Sequence, residues 1–140
     1  MTTAIPLTLH LLVLIGVYEL AAGVAGLAGR INWAAMLDEF ERSPALSFIT
    51  GFAVYILGGV LVLVHNIWTD VLAGIVSAVG WIAAIEGVLI MTVPGPLLAF
   101  SRRLVGNSRL ISAFAAVFGL ILILLGLTGR ADPTSNMVIS

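Results

Sequence analysis

Residues 110–127 read LISAFAAVFGLILILLGL, a run with no charged residue. A helix of that length rises about 27 Å at ~1.5 Å per residue, close to the ~30 Å hydrocarbon core of a bilayer. Working toward the N-terminus, three more runs have the same character: residues 7–28, 46–64 and 71–93. Segments of this length and apolarity are membrane-spanning candidates, because only a helix or a closed barrel satisfies its own backbone in lipid. The sequence therefore predicts an all-α integral membrane four-helix bundle, with residues 1–140 as one membrane domain.

Composition agrees. Hydrophobic residues make up 61% of the 140 and charged residues 9%, against about 25% charged in soluble domains. The net charge of -1 gives no reason to expect a nucleic-acid partner. The chain has no cysteine, which removes disulfides, thiol nucleophiles and thiolate-bound metals. The first run has some features of a leader, with apolar Leu11–Val17 before small residues at Ala25-Gly26-Leu27-Ala28. Yet no Lys or Arg precedes it and Glu19 interrupts it, so it reads as the first spanning helix.

The breaks between runs have chemical causes. Pro6 suits a first helical position. Arg30-Ile31-Asn32 ends the first run, Pro94-Gly95-Pro96 the third, and Gly129 and Pro133 follow the fourth. Two linkers, about 32–43 and 97–105, read as amphipathic interfacial helices. In the first, Asn32 caps a helix with Trp33, Leu37 and Phe40 on one face and an i,i+4 pair from Asp38 to Arg42. In the second, Leu97, Phe100 and Leu104 accompany Arg102 and Arg103. The tail 130–140 is polar and expected to fray.

Five arginines (Arg30, Arg42, Arg102, Arg103, Arg109) fall in the two linker regions, and only Arg130 lies on the other side. The arginine-rich side is expected in the cytoplasm of a bacterial inner membrane, with both termini outside. The linker arginines Arg102, Arg103 and Arg109 are also candidates for anionic lipid headgroups. An internal repeat is visible as well. Ile49-Thr50-Gly51-Phe52-Ala53 in the second run matches Ile111-Ser112-Ala113-Phe114-Ala115 in the fourth, and runs one and three each carry one acid, Glu19 and Glu86. A duplicated two-helix hairpin would produce this pattern.

Small residues recur where helices must approach closely without a hydrophobic driving force: Gly16, Gly23, Gly26, Gly58, Gly119 and Gly126. These pack a bundle or leave a stripe for another copy or subunit. Glu19 and Glu86 lie about 18 and 22 Å along their helices, at ~1.5 Å per residue. A carboxyl at such depth is a functional hypothesis by default. It relays protons, hydrogen-bonds to Tyr18, Tyr55 or Thr50, or meets a partner subunit. A polar cluster of His10, His65, Asn66, Trp68 and Asp70 is expected at the opposite face from the arginines. Two histidines there could ligate metal or haem. The plainer reading is that His65-Asn66 satisfies helix-end carbonyls and Trp68 anchors at the interface. Trp33 reads as the matching anchor on the other side, and Trp81 as a packing residue. No catalytic set, phosphate loop or metal motif is present, and no cofactor is expected.

The stretch Leu63-Val64-His65-Asn66-Ile67-Trp68, with Val79-Gly80-Trp81, Glu86-Gly87 and Pro94, resembles a set of small uncharacterised bacterial membrane proteins. The resemblance covers roughly residues 50–96 and implies a four-helix membrane fold. Members carry a basic residue where Glu86 stands here. A looser likeness is to small multidrug resistance transporters, also four-helix chains with an essential glutamate in helix one, where Glu19 stands. That likeness is architectural; their aromatic and proline motifs and any counterpart of Glu86 are missing. The expected function is a non-enzymatic accessory subunit of a membrane complex or a homo-oligomer, whose partners are lipid and other membrane subunits. The alternatives are a proton-coupled small-molecule or ion transporter using Glu19 and Glu86, and a metal- or haem-binding protein using His10 and His65.

Overall fold

The computed structural model describes residues 2–3 and 5–131; the tail expected to fray lies outside them from residue 132 onward. The protein is all-α, built around four helices long and apolar enough to cross a membrane: α1 (Pro6–Leu27), α3 (Pro44–Val64), α4 (Val71–Thr92) and α6 (Ser108–Thr128). Two shorter helices, α2 (Trp33–Arg42) and α5 (Pro94–Val105), link them at the arginine-bearing end.

Local chemistry sets the helix boundaries. Proline opens α1, α3 and α5, where its missing N–H is no loss. Pro94 therefore starts α5 as well as stopping α4, and the linker helix is longer than the sequence suggested. Side-chain oxygens of Asn32, Ser43, Asp70 and Asn107 cap α2, α3, α4 and α6 by accepting from backbone N–H groups three residues on. The end of α1 is made by Gly29, whose φ of 70° lets Arg30 N–H reach Ala25 O (2.9 Å) and Gly29 N–H reach Gly26 O (3.1 Å). That left-handed turn fits glycine and strains any other residue.

The spanning helices pack as two tight pairs, α1 with α6 and α3 with α4, and the pairs meet mainly through α1 against α4. The chain thus closes its first spanning helix onto its last. Both seams are lined by small residues at seven-residue intervals. Gly23 faces the backbone of Ser112 and Ala116, and Gly119 faces that of Gly16 and Leu20. In the other pair Gly87 faces the backbone of Gly51 and Tyr55, and Gly58 that of Ala83 and Ala84. Helix backbones touch directly, the close approach on which association in lipid relies.

These matching contacts reveal the duplication. α1 corresponds to α4 with Gly23 on Gly87, and α6 corresponds to α3 with Gly119 on Gly58. In this register Glu19 falls opposite Ala83, and Glu86 opposite Ala22. The two acids are therefore not copies of one another, although the halves are.

The buried apolar core is small: Leu12, Leu72, Val76 and Leu122, with Leu9, Leu61 and Phe118 among the residues packed around it. It lies in the half of the bundle away from the arginines. Elsewhere large apolar side chains face outward, Leu63 at 87% exposure and Leu57 at 71%, as suits contact with lipid rather than water. At the core end, two-residue strands β1 (Thr2–Thr3) and β2 (Arg130–Ala131) pair in parallel, tying Arg130 to the N-terminus.

A side-chain carbon added to Gly87 or Gly119 would collide with backbone across the seam. Gly87→Ala and Gly119→Ala are expected to cost about 1–3 kcal/mol each. Gly59 has open space around it, so Gly59→Ala should leave stability unchanged or slightly raised. Thermal unfolding of detergent-solubilised protein checks all three.

Candidate functional site

Two kinds of polar feature stand out: a buried knot at the end away from the arginines, and two carboxyls within the spanning helices.

The knot begins at His65, the residue just after α3, which is 1% exposed. Its Nε2 is 2.9 Å from Thr8 Oγ1 on α1, and its Nδ1 is 3.2 Å from Ser77 Oγ on α4. Thr8 and Ser77 are both fully buried. Ser77 Oγ donates to Ile67 O at 2.7 Å and accepts from Ile67 N–H at 2.9 Å. With its one proton given to that carbonyl, Ser77 Oγ accepts from His65 Nδ1–H, and Nε2 is left to accept from Thr8. The hydrogen-bond network thus assigns the Nδ1–H tautomer. A single ring joins α1 to the α3–α4 turn, crossing between the two helix pairs.

Around this knot, Asn66 Oδ1 accepts from both Trp68 Nε1 (2.9 Å) and Trp81 Nε1 (3.2 Å). Asp70 caps α4 through Ala73 N–H (2.9 Å) and accepts from Thr3 Oγ1 (3.0 Å). Four of the five residues expected to cluster here therefore do so. His10 does not join them. It is exposed, and its Nδ1 accompanies Pro6 O at 3.0 Å, one turn back on its own helix. Both His65 ring nitrogens are already engaged, so His10 and His65 do not form a ligand pair. Among the described residues no group of three histidines or carboxylates could hold a metal ion.

The sequence reading missed Thr8 and Ser77, since lone hydroxyls in apolar helices usually bond back to their own backbone. Trp81 proves partly exposed, its indole tied to Asn66 rather than packed against a glycine-lined neighbour. Trp33 also differs from its expected role as an interface anchor. Its Nε1 donates to Ser112 Oγ at 2.9 Å beside Gly26, closing the α1–α6 seam at the arginine end.

Glu19 lies on the wall of an apolar cleft of about 460 Å³ between α1, α3 and α4, with Tyr18, Leu57, Leu61 and Val79 around it. Glu86 lines a different recess of about 80 Å³, covered by α2 and α5 and shared with Ser47 and Ser101. Among the described residues neither carboxyl has a hydrogen bond or an ion pair. Tyr18, Tyr55 and Thr50, the expected partners, do not reach them. Depth counted along each helix put the acids at one level, but they point into separate spaces.

At the arginine end, Arg102 NH2 lies 2.8 Å from Asp38 and 2.8 Å from Glu41, joining α5 to α2. The hydrogen bond to Glu41, then that to Asp38, raises the guanidinium pKa further above an already high value. Arg102 is thus permanently charged and paired with α2, with 38% of its side chain still exposed. Asp38 pairs with Arg102 and not with Arg42 as helical spacing suggested, because one guanidinium reaches two carboxylates from the facing helix. Arg103 and Arg109 remain exposed. The inward stripe of α5 is Leu97, Leu98 and Ser101, while Phe100 and Leu104 face outward.

No protein-family model matches the chain, and no curated protein and no solved structure matches it.

Thr8→Val leaves the buried Nε2 of His65 without a donor, at an expected cost of about 1–3 kcal/mol. Ser77→Ala should cost more, because the Ile67 amide and carbonyl lose their partner as well. His10→Ala, on an exposed face, should stay within roughly 0.5 kcal/mol of the parent. Chemical unfolding in mixed micelles ranks the three.

Proposed function

We propose that the chain is a non-enzymatic protein of the bacterial inner membrane and serves as an accessory subunit of a larger membrane complex or as a homo-oligomer. The observation that carries this reading is the pair of unpartnered intramembrane carboxyls in separate recesses. An ionisable group in hydrocarbon is expensive unless something meets it. With no partner among the described residues, and with the acids facing apart, a second molecule accounts for them better than a relay between them. Of the two forms, the accessory role has more support. Gly16, Gly23, Gly26, Gly58, Gly119 and Gly126 all face groups within the chain, so these six are not free for self-association.

The arginine excess favours a cytoplasmic location for α2 and α5, with both termini and the His65–Asp70 turn outside. Likeness to the small bacterial membrane proteins with a His-Asn-x-Trp turn fits the same proposal. Here Asn66 binds Trp68 of the turn and Trp81 of the Gly-Trp pair, so the two motifs act as one unit. A second reading, proton-coupled transport of a small molecule or ion, is favoured by the cleft at Glu19 alone. The metal- or haem-binding reading has no such support, because His10 and His65 point to different partners.

Purification in a mild detergent followed by native mass measurement tests the leading reading. It predicts a particle heavier than the 14.6 kDa chain, containing a second protein or further copies. A bare monomer would contradict it. For the second reading, Glu19→Gln and Glu86→Gln should each abolish proton-coupled flux in liposomes. Flux that survives both substitutions removes that reading.

A further inference from the structure

The linker arginines read alike in sequence, but the fold gives them different surroundings. Arg102 is paired with Asp38 and Glu41. Arg109 instead lines a cleft of about 390 Å³ where the end of α1, the turn before α2 and the start of α6 meet, with Leu27, Gly29, Asn32 and Ser108 around it. Each polar side chain on this wall has a donor to spare. Asn32 Oδ1 caps α2 by accepting from Ala35 N–H at 3.1 Å, which leaves the NH2 end of its amide free. The Ser108 hydroxyl and the Arg109 guanidinium have no hydrogen bond or ion pair among the described residues. No carboxylate among those residues lines the cleft. Unspent donors, one of them charged, with no acid beside them suit an anion. Arg30, exposed in the same turn, adds a second positive charge.

The duplication provides an internal control. The register that sets Gly23 on Gly87 and Gly119 on Gly58 sets Asn32 on Pro96, Gly29 on Val93, Arg109 on Phe48 and Ser108 on Ser47. In that other half the Ser47 hydroxyl is buried and spent on Phe40 O at 2.8 Å. Met91, the counterpart of Leu27, packs against Gly51. Proline, valine and phenylalanine replace the amide, the glycine turn and the guanidinium. The free donors and the space they line thus occur together in one half, and the equivalent place in the other half has neither.

The cleft's position limits its occupant. Its wall at Gly26 is sealed, because Trp33 Nε1 and Ser112 Oγ bond to each other against that glycine. It is therefore a blind site and not the mouth of a path through the bundle. Its volume falls within the range of small-molecule sites, commonly about 300–1,000 Å³. Beside it the apolar Val24 and Leu27 of α1 and Leu110 of α6 are exposed on spanning helices. An occupant thus meets donors at its head and apolar side chains along its tail. An arginine fork matches two oxygens of one phosphate.

We propose that this cleft binds one anionic phospholipid by its phosphodiester, with Arg109, Ser108 and the Asn32 amide on the phosphate oxygens and the acyl chains along Val24 and Leu110. Binding needs only one chain, so it holds whether or not the chain is a subunit of a complex.

The test uses the full chain in mixed micelles, titrated with phosphatidylglycerol and read by native mass spectrometry, which resolves each lipid adduct. One phosphatidylglycerol per chain is expected to bind first, and more tightly than phosphatidylcholine. Arg109→Gln removes charge-assisted bonds and should weaken that binding by roughly ten- to a hundredfold. Asn32→Asp keeps a good cap for α2 but puts an acid where the amide donors stood, and should cause a similar loss. Arg103→Gln removes the same charge from α5, outside the cleft lining, and should change affinity by no more than about twofold. Inorganic phosphate at the same concentration should not displace the lipid. Unchanged affinity in Arg109→Gln, or an equal loss in Arg103→Gln, which marks attraction to any basic surface, would overturn the proposal. Displacement by inorganic phosphate would also overturn it, because the ligand would then be a soluble anion. If Asn32→Asp fails to fold, the comparison of Arg109→Gln with Arg103→Gln decides it.

Discussion

Direct contact between helix backbones holds this molecule together. In water, burying leucine and valine would bind the helices, but in lipid those side chains gain nothing by leaving their surroundings. What remains is close van der Waals approach, which requires side chains small enough to step aside. Glycine supplies it at Gly23 against Ala116, Gly119 against Leu20, Gly58 against Ala84 and Gly87 against Tyr55. Seven-residue spacing keeps these positions on one stripe through several turns. The shallow core around Leu12, Leu72, Val76 and Leu122 is then an addition to the seams and not their cause.

Two seams alone would give two separate hairpin-like pairs. They are joined at both ends by polar chemistry. Away from the arginines, His65 spans from Thr8 to Ser77 in a site closed to solvent, where each unmade bond would be costly. At the other end Arg102 binds α5 to α2 in an exposed setting, where ion pairs contribute little to stability. The bundle is therefore rigidly tied at one end and only lightly fastened at the other. The recess at Glu86 lies at the lightly fastened end, whereas the Glu19 cleft reaches up to Leu11 and Val64, beside the knot.

Much of the fold is legible in the sequence because a bilayer imposes length and apolarity on every span. The four runs, the linker helices and the cap at Asn32 follow from that and from hydrogen-bond accounting at helix ends. Which helix pairs with which is not legible, since all four carry small residues at suitable spacing. The repeat shows in sequence, but its register does not. Ile49-Thr50 aligns with Ile111-Ser112 by residue type, whereas packing puts Ser112 in the place of Gly51. On α1 and α4 the gap is wider: pairing Glu19 with Glu86 needs a three-residue shift from the packed register, which sets Glu19 opposite Ala83. Thr8, Ser77 and the Arg102 partners were hidden for a common reason: each bond crosses between elements distant in sequence, and none leaves a local pattern. His65, Asn66 and Asp70 stood out because a tight turn gathers polar residues in an otherwise oily chain.

Within one chain, α1 closes onto α6. Native cysteine is absent, so an introduced pair can report on this without background. Leu9 touches the position a side chain would take at Gly129, while Leu63 on α3 is 87% exposed at the same end. Oxidation of Leu9→Cys/Gly129→Cys in native membranes should give an intramolecular disulfide quickly, and Leu9→Cys/Leu63→Cys should not. A disulfide formed only between chains, or formed equally by both pairs, would contradict the arrangement described.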